Sequence, residues 1–226
     1  MDAVIFDFDG VIVDSEPLHF DGFARVLRQH GIELGWDCYR ERYLGYDDHD
    51  CFAAVCADYG VAVDERRIAA MIAAKTAAVR EVLASSVQAL PGAVELIASL
   101  RDAGVPLAIC SGALRPEIEI AARRAGVLER FLTVVAAEDV AHGKPDPAGY
   151  TLALERLRVA SARPLAAARS LAIEDSPAGI AAAAGAGLRV LAVTTSYPAA
   201  ALTAADAIVA SLAEVTPAHL AALTGG

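Results

Sequence analysis

Six short apolar runs, separated by helical patterns, constrain the fold more than any other feature of the chain. They are AVIFDF (3–8), VPLAIC (105–110), FLTVVAA (131–137), SLAIE (170–174), LRVLAV (188–193) and DAIVA (206–210). Their nearly continuous apolar character marks strands buried on both faces, and the segments between them are long enough for crossover helices. The pattern therefore predicts a parallel sheet in a doubly wound α/β core. PGAVELIASLRDAG (91–104) reads as one crossover helix, with Pro91 near its first turn and Gly104 as its C-cap. SPAGIAAAAGAG (176–187) reads as another, with Ser176 as N-cap. Gly185-Ala186-Gly187 follows a helical pattern and precedes a strand, the reverse of a dinucleotide loop, so it is read as a helix terminator.

One interval breaks the alternation. From about Ser15 to about Ser86 no strand-like run occurs, only amphipathic helical pattern such as FDGFARVLRQHG (20–31) and DERRIAAMIAAKTAAVREVLA (64–84). The expected organisation is a core built from residues 1–14 and 87–226 with an all-helical insertion at 15–86. DSEP joins the two at one end and SSVQALPG at the other, and two crossing points allow a hinged lid.

Composition narrows the class of partner. The hydrophobic fraction is 56%, but charge, glycine or proline interrupts every long apolar run well before the ~18 residues of a membrane helix, so no membrane span is predicted. Asp7 and Asp9 cut the only candidate for a signal-peptide core, which places the expected location in the cytoplasm. The four cysteines, Cys38, Cys51, Cys56 and Cys110, form no C-x-x-C pair and are read as reduced, mostly buried thiols. A formal net charge of −10 argues against a nucleic-acid partner, since phosphate backbones are bound by clustered Lys and Arg. An anionic ligand would need a local device to overcome that charge.

Ligands of open α/β sheets bind outside the carboxyl ends of the strands, so the residues after each strand carry the chemistry. The first strand ends in Asp7-Phe8-Asp9-Gly10 and the second in Ser111-Gly112. The third leads to HGKPDP with Lys144, and the fourth ends in Glu174-Asp175-Ser176. Four carboxylates in one crevice repel unless they share a cation. Hard oxygen donors suit Mg²⁺, which also accompanies substrate phosphate. Asp7 and Asp9 lie two residues apart and so share one face of an extended strand until the chain turns at Gly10. One can attack while the other exchanges protons, dividing a phosphoryl transfer into two steps through an aspartyl-phosphate.

DFDGVIVDSEPLH, the Ser-Gly after the second strand, the lysine of GKPDP and EDSPAGI together resemble the four motifs of the haloacid dehalogenase superfamily of phosphohydrolases. They resemble more narrowly its members with a helical cap after the first motif, the group that includes β-phosphoglucomutase and phosphoglycolate phosphatase. The resemblance spans nearly the whole chain and implies a Rossmann-like core with an inserted helical cap that selects the substrate. It implies Asp7 as nucleophile and metal ligand, and Asp9 as acid/base that also gives its backbone carbonyl to the metal. Ser111 and the Gly112 amide would hold the phosphoryl group, and Lys144 would neutralise it and position Asp7. Asp175 would ligate Mg²⁺ directly; Glu174 would do so directly or through water.

The activity expected from the resemblance is Mg²⁺-dependent hydrolysis of a small phosphorylated metabolite, such as a sugar phosphate or phosphoglycolate. A sugar phosphomutase is the alternative. Aligned on Gly45, the mutase's two basic cap positions are Leu44 and Asp48 here, which weakens that alternative. His19 lies where the group carries a hinge histidine, and His142 is read as a loop residue. Arg42, Tyr43, Tyr46, Asp47 and His49 are the candidate substrate contacts in RERYLGYDDHD (40–50), each of which also reads as part of a solvated helix end. A monomer is expected, with a dimer as the alternative.

Overall fold

The computed structural model describes residues 1–44 and 46–225, with the backbone alone at residues 80, 81 and 83–86. The chain divides into two compact units, Met1–Asp14 with Val87–Gly226, and Ser15–Ser86.

The larger unit holds a six-stranded parallel sheet in the order β3-β2-β1-β4-β5-β6. The strands are β1 (Val4–Phe6), β2 (Leu107–Cys110), β3 (Thr133–Val135), β4 (Leu171–Glu174), β5 (Arg189–Val193) and β6 (Ala207–Val209). All six sequence runs are strands, each trimmed at one or both ends. Val4, Ile5, Phe6, Leu107, Ala108, Ile109, Leu171, Ala172 and Ile173 have no exposed surface. Since neighbouring residues of a strand face opposite ways, both faces of the sheet are covered, which explains the unbroken apolar runs. Burying each aliphatic side chain of this size stabilises the fold by about 1.5–3 kcal/mol.

Five α-helices serve this unit among the described residues: α5 (Ala93–Asp102), α6 (Arg115–Arg124), α7 (Ala148–Ser161), α8 (Pro177–Gly185) and α9 (Pro217–Leu223). α7 packs across β1, β2 and β3, and α8 across β4 and β5. They cover the sheet face that carries Ile5, Ala108, Ala172 and Val190. α5 packs on β2, and α9 on α5. The α8 start follows its sequence signal, with the Ser176 hydroxyl accepting from the Gly179 amide at 3.1 Å. α8 ends at Gly185, and Gly187 has φ +78°, the left-handed conformation that stops a helix. At α5 the N-cap is Gly92, so Pro91 lies just before the first turn, and the C-cap is Ala103 rather than Gly104, which follows it with φ +73°.

The smaller unit is helical throughout its described elements: α1 (Glu16–Arg28), α2 (Trp36–Arg42), α3 (Asp48–Asp58) and α4 (Glu65–Ser86). Its core is separate and aromatic, with Phe23 set edge-on to Phe52 at 5.0 Å and Phe20 to Trp36 at 5.1 Å. α1 and α4 pack tightly because Gly22 has no side chain. A Cβ there would stand 2.8 Å from Val79 Cγ2 and 3.0 Å from Lys75 Cγ. No helix among the described residues is long and apolar enough to cross a membrane.

Candidate active site

The register of β1 sets the site. Phe6 lies level with Ile109 and Ile173, and the Asp7 amide donates to the Ile173 carbonyl at 2.9 Å, so Asp7 extends the ladder one residue past the strand. There the chain turns. The Phe8 carbonyl accepts from the amides of Val11, Ile12 and Val13, and Gly10 adopts φ +73°. Only glycine fits at that corner: a Cβ at Gly10 would lie 1.8 Å from Asp175 Oδ2. The strand stops at Phe6, two residues before the sequence pattern ends, because the Phe8 carbonyl serves the turn.

Asp7 and Asp9 emerge with different partners. Asp7 is 7% exposed, and the Lys144 ammonium meets its Oδ1 at 2.7 Å. Asp9 is less buried, and its Oδ2 accepts from the Ser111 hydroxyl at 3.4 Å. Ser111 Oγ also accepts from the Ala113 amide at 3.0 Å, while open space lies beside Gly112. Ser111, Gly112, His142, Gly143, Lys144 and Tyr150 help to line a cavity of about 180 Å³.

Lys144 is the hub. Its ammonium contacts Asp7 and, at 2.6 Å, Glu174 Oε1, and it stands 5.3 Å from the centre of the Tyr150 ring. Burial opposes its charge, but Asp7 and Glu174 outweigh burial and hold it above its ordinary pKa. Glu174 has no exposed surface. Besides Lys144, its carboxylate accepts from Tyr150 Oη at 2.6 Å, the Asp175 amide at 3.1 Å, the Ser176 amide at 3.4 Å and the Ser176 hydroxyl at 3.1 Å. Asp175, also buried, accepts from the Ser196 hydroxyl and faces Gly10.

Asp7, Glu174 and Asp175 each place one carboxylate oxygen within 4.8 Å of the others. Burial raises the Asp7 carboxyl well above its usual range, and the Glu174 charge adds to the rise while Lys144 opposes it. Burial likewise pushes Asp175 up to about 7, against the Ser196 hydrogen bond. Three carboxylates against one ammonium leave the cluster short of positive charge. The donor set is all hard oxygen, so the residues fit a divalent cation of the Mg²⁺ type.

The candidates in the helical unit have structural partners. His19 Nδ1 lies 2.9 Å from the ammonium of Lys75, a 3%-exposed lysine that also pairs with Asp48 and stands 4.3 Å from the Phe23 ring centre. Arg42 pairs with Asp58 at 2.6 Å, and the buried Tyr43 donates to the same carboxylate at 2.7 Å. Tyr46 is 51% exposed, edge-on to Tyr43. Asp47 caps α3 by accepting from the Asp50 amide, and His49 lies between Asp50 and Glu65. Gly45, on which the mutase comparison was aligned, lies outside the described residues. The sequence reading missed Tyr150, Ser196 and Lys75. Ser196 follows β5 and was findable by the strand-end rule that found Asp175. Tyr150 and Lys75 carried no signal, because a tyrosine in an apolar helix reads as core and a lysine as surface.

A parallel α/β sheet with an acidic cluster and a half-buried lysine at the carboxyl ends of its central strands defines a Rossmann-like enzyme core. The sequence model of the haloacid dehalogenase-like hydrolases matches residues 1–187, and the chain belongs to that family. It is 33% identical over 219 residues to a validoxylamine A 7'-phosphate phosphatase of Streptomyces hygroscopicus subsp. limoneus, covering 96% of this chain and 97% of that one. It is 29% identical to a phosphorylated carbohydrates phosphatase of Thermotoga maritima, covering 83% and 82%. Among solved structures, a mutant of Rhodobacter sphaeroides CbbY in complex with xylulose-1,5-bisphosphate superimposes with a TM-score of 0.83 at 28% identity, covering 97% and 99%.

Proposed function

We propose that the chain is a Mg²⁺-dependent cytoplasmic phosphatase that hydrolyses the monoester of a small phosphorylated carbohydrate through a phosphoryl group carried on Asp7. The observation that carries this reading is the Lys144 ammonium clamped between Asp7 and Glu174 at the carboxyl edge of β1 and β4. One similar relative is named as a phosphatase of validoxylamine A 7'-phosphate and another as a phosphatase of phosphorylated carbohydrates, which supports the substrate class.

In the first half-reaction an Asp7 oxygen attacks phosphorus and the ester P–O bond breaks. The Asp9 carboxyl gives its proton to the departing alkoxide. In the second, Asp9 as carboxylate takes a proton from water, the resulting hydroxide attacks phosphorus, and the bond to Asp7 breaks to release phosphate. Lys144, the Ser111 hydroxyl and the Gly112 amide balance charge on the phosphoryl oxygens. Asp7, Asp175 and the Asp9 backbone carbonyl would hold Mg²⁺, which when bound supplies the charge that keeps these carboxylates ionised and polarises the phosphoryl group. The helical insertion selects the carbohydrate. The phosphomutase alternative is weaker, because Asp48 is an acid already committed to Lys75 and Leu44 packs against the helical core.

The test is a panel of phosphorylated sugars, polyols and glycolate, following both phosphate release and isomerisation, with EDTA controls. Release from a few substrates that EDTA abolishes, together with a fall of at least about a thousandfold in Asp7→Asn, is the expected result. Isomerisation without release would establish the mutase instead, and full activity in Asp7→Asn would exclude the covalent route.

A further inference from the structure

Glu174 belongs to the acidic cluster, yet its surroundings set it apart from Asp7 and Asp175. Both of its oxygens are already engaged: Oε1 accepts from Lys144 and Tyr150, each at 2.6 Å, and Oε2 accepts from two backbone amides and the Ser176 hydroxyl. The carboxylate is also seated on the first turn of α8. A Cβ on Gly179 would fall 1.9–2.1 Å from three of its atoms, so only glycine leaves room for it. A carboxylate with five donors at a helix start is fixed in place and is a poor candidate to turn toward a metal.

Tyr150 completes this arrangement. It comes from the first turn of α7, has no exposed surface, donates its hydroxyl to Glu174 and sets its ring beside the Lys144 ammonium. Among the hydrogen bonds described, its hydroxyl has Glu174 as partner. We propose that Tyr150 is a positioning residue: it fixes Glu174 as the anchor of Lys144, while the metal's direct ligands are left to Asp7, Asp175 and the Asp9 carbonyl. This inference rests on the phosphatase reading. Lys144 must stay aimed at the transferring phosphoryl group as charge moves from the ester to Asp7. A tyrosine hydroxyl behind Glu174 costs the substrate nothing in binding but sharpens that aim, so its loss falls on turnover rather than on affinity.

Tyr150→Phe tests this on the full-length protein, with kcat and KM for p-nitrophenyl phosphate or the best panel substrate, Mg²⁺ affinity by titration calorimetry without substrate, and thermal unfolding. The expected result is a kcat lower by roughly tenfold to a hundredfold, the worth of a hydrogen bond to a buried charge, with KM and Mg²⁺ affinity within about twofold of native. An unimpaired kcat in an active native background overturns the inference alone. So does Mg²⁺ affinity that falls in step with kcat, since that would make Glu174 a ligand. A native protein inactive toward every ester overturns the phosphatase reading and this inference with it. Should the phenylalanine variant fail to fold, Glu174→Gln carries the same test. Its kcat should fall more than about tenfold while Mg²⁺ still binds, and loss of Mg²⁺ binding in it overturns the inference.

Discussion

Asp139 shows how a carboxylate outside the acidic cluster is put to structural use. It receives Arg156 through two nitrogens at 3.1 and 3.2 Å, Arg115 through a third, and the Ala136 amide at 2.9 Å. The Arg156 hydrogen bonds hold its pKa below the usual carboxylate value, against the effect of burial, with the Ala136 amide and the Arg115 charge adding to the drop. A depressed folded-state value means that its stabilisation is complete above the unfolded value of about 4 and is lost as pH falls through the lower folded one. Asp139→Asn should therefore cost about 1 kcal/mol at pH 7, and the gap in melting temperature between variant and native should close between pH 4 and pH 2. At this scale legibility depended on position. Asp7, Ser111 and Asp175 could be singled out because each directly follows a strand, and Lys144 because it lies in the loop that leaves β3. Tyr150 acts through the polar tip of a side chain whose ring behaves as core, and a one-dimensional pattern records only the ring.

The helices and strands were legible in kind and blurred at their ends. Strand runs are unbroken because both sheet faces are buried, whereas their ends depend on which carbonyls the turns recruit, as at Phe8. α2 and α3 were not distinguished within the helical insertion, since helices of 7 and 11 residues show too few turns for their period to stand out. The start of α5 depends on tertiary contact. Gly92 has φ +83°, and a Cβ there would meet the backbone nitrogen of Ala213 at 2.1 Å. Gly92→Ala should lose about 2–4 kcal/mol from the combined backbone strain and overlap, read as a lower midpoint in urea with an unchanged slope. Ser176→Ala removes only the α8 cap bond and the donation to Glu174. It should lower stability by about 1 kcal/mol.

The two units have separate cores, and the helical one is built around Phe23, Tyr39, Phe52 and Val55. Phe52 has no exposed surface. Phe52→Ala should remove about 3–5 kcal/mol, and hydrogen exchange should quicken across α1, α3 and α4 while the amides of β1, β2 and β4 keep their protection. Equal acceleration in both units would show one cooperative block. The division of the chain was visible in the sequence because strand-like runs are absent between 15 and 86, but no polar residue of the insertion could be singled out, since these residues are also caps and ion pairs. The sheet order has a consequence for how the chain comes to be folded. β1 pairs on both sides, with β2 and with β4, so Val4 waits for Leu107 and then for Leu171. During synthesis the first strand leaves the ribosome with no neighbour to pair with, while α1 to α4 already find one another over short stretches of chain. Asp7 is thus made well before the strands that come to flank it, and its surroundings are among the last to close around it.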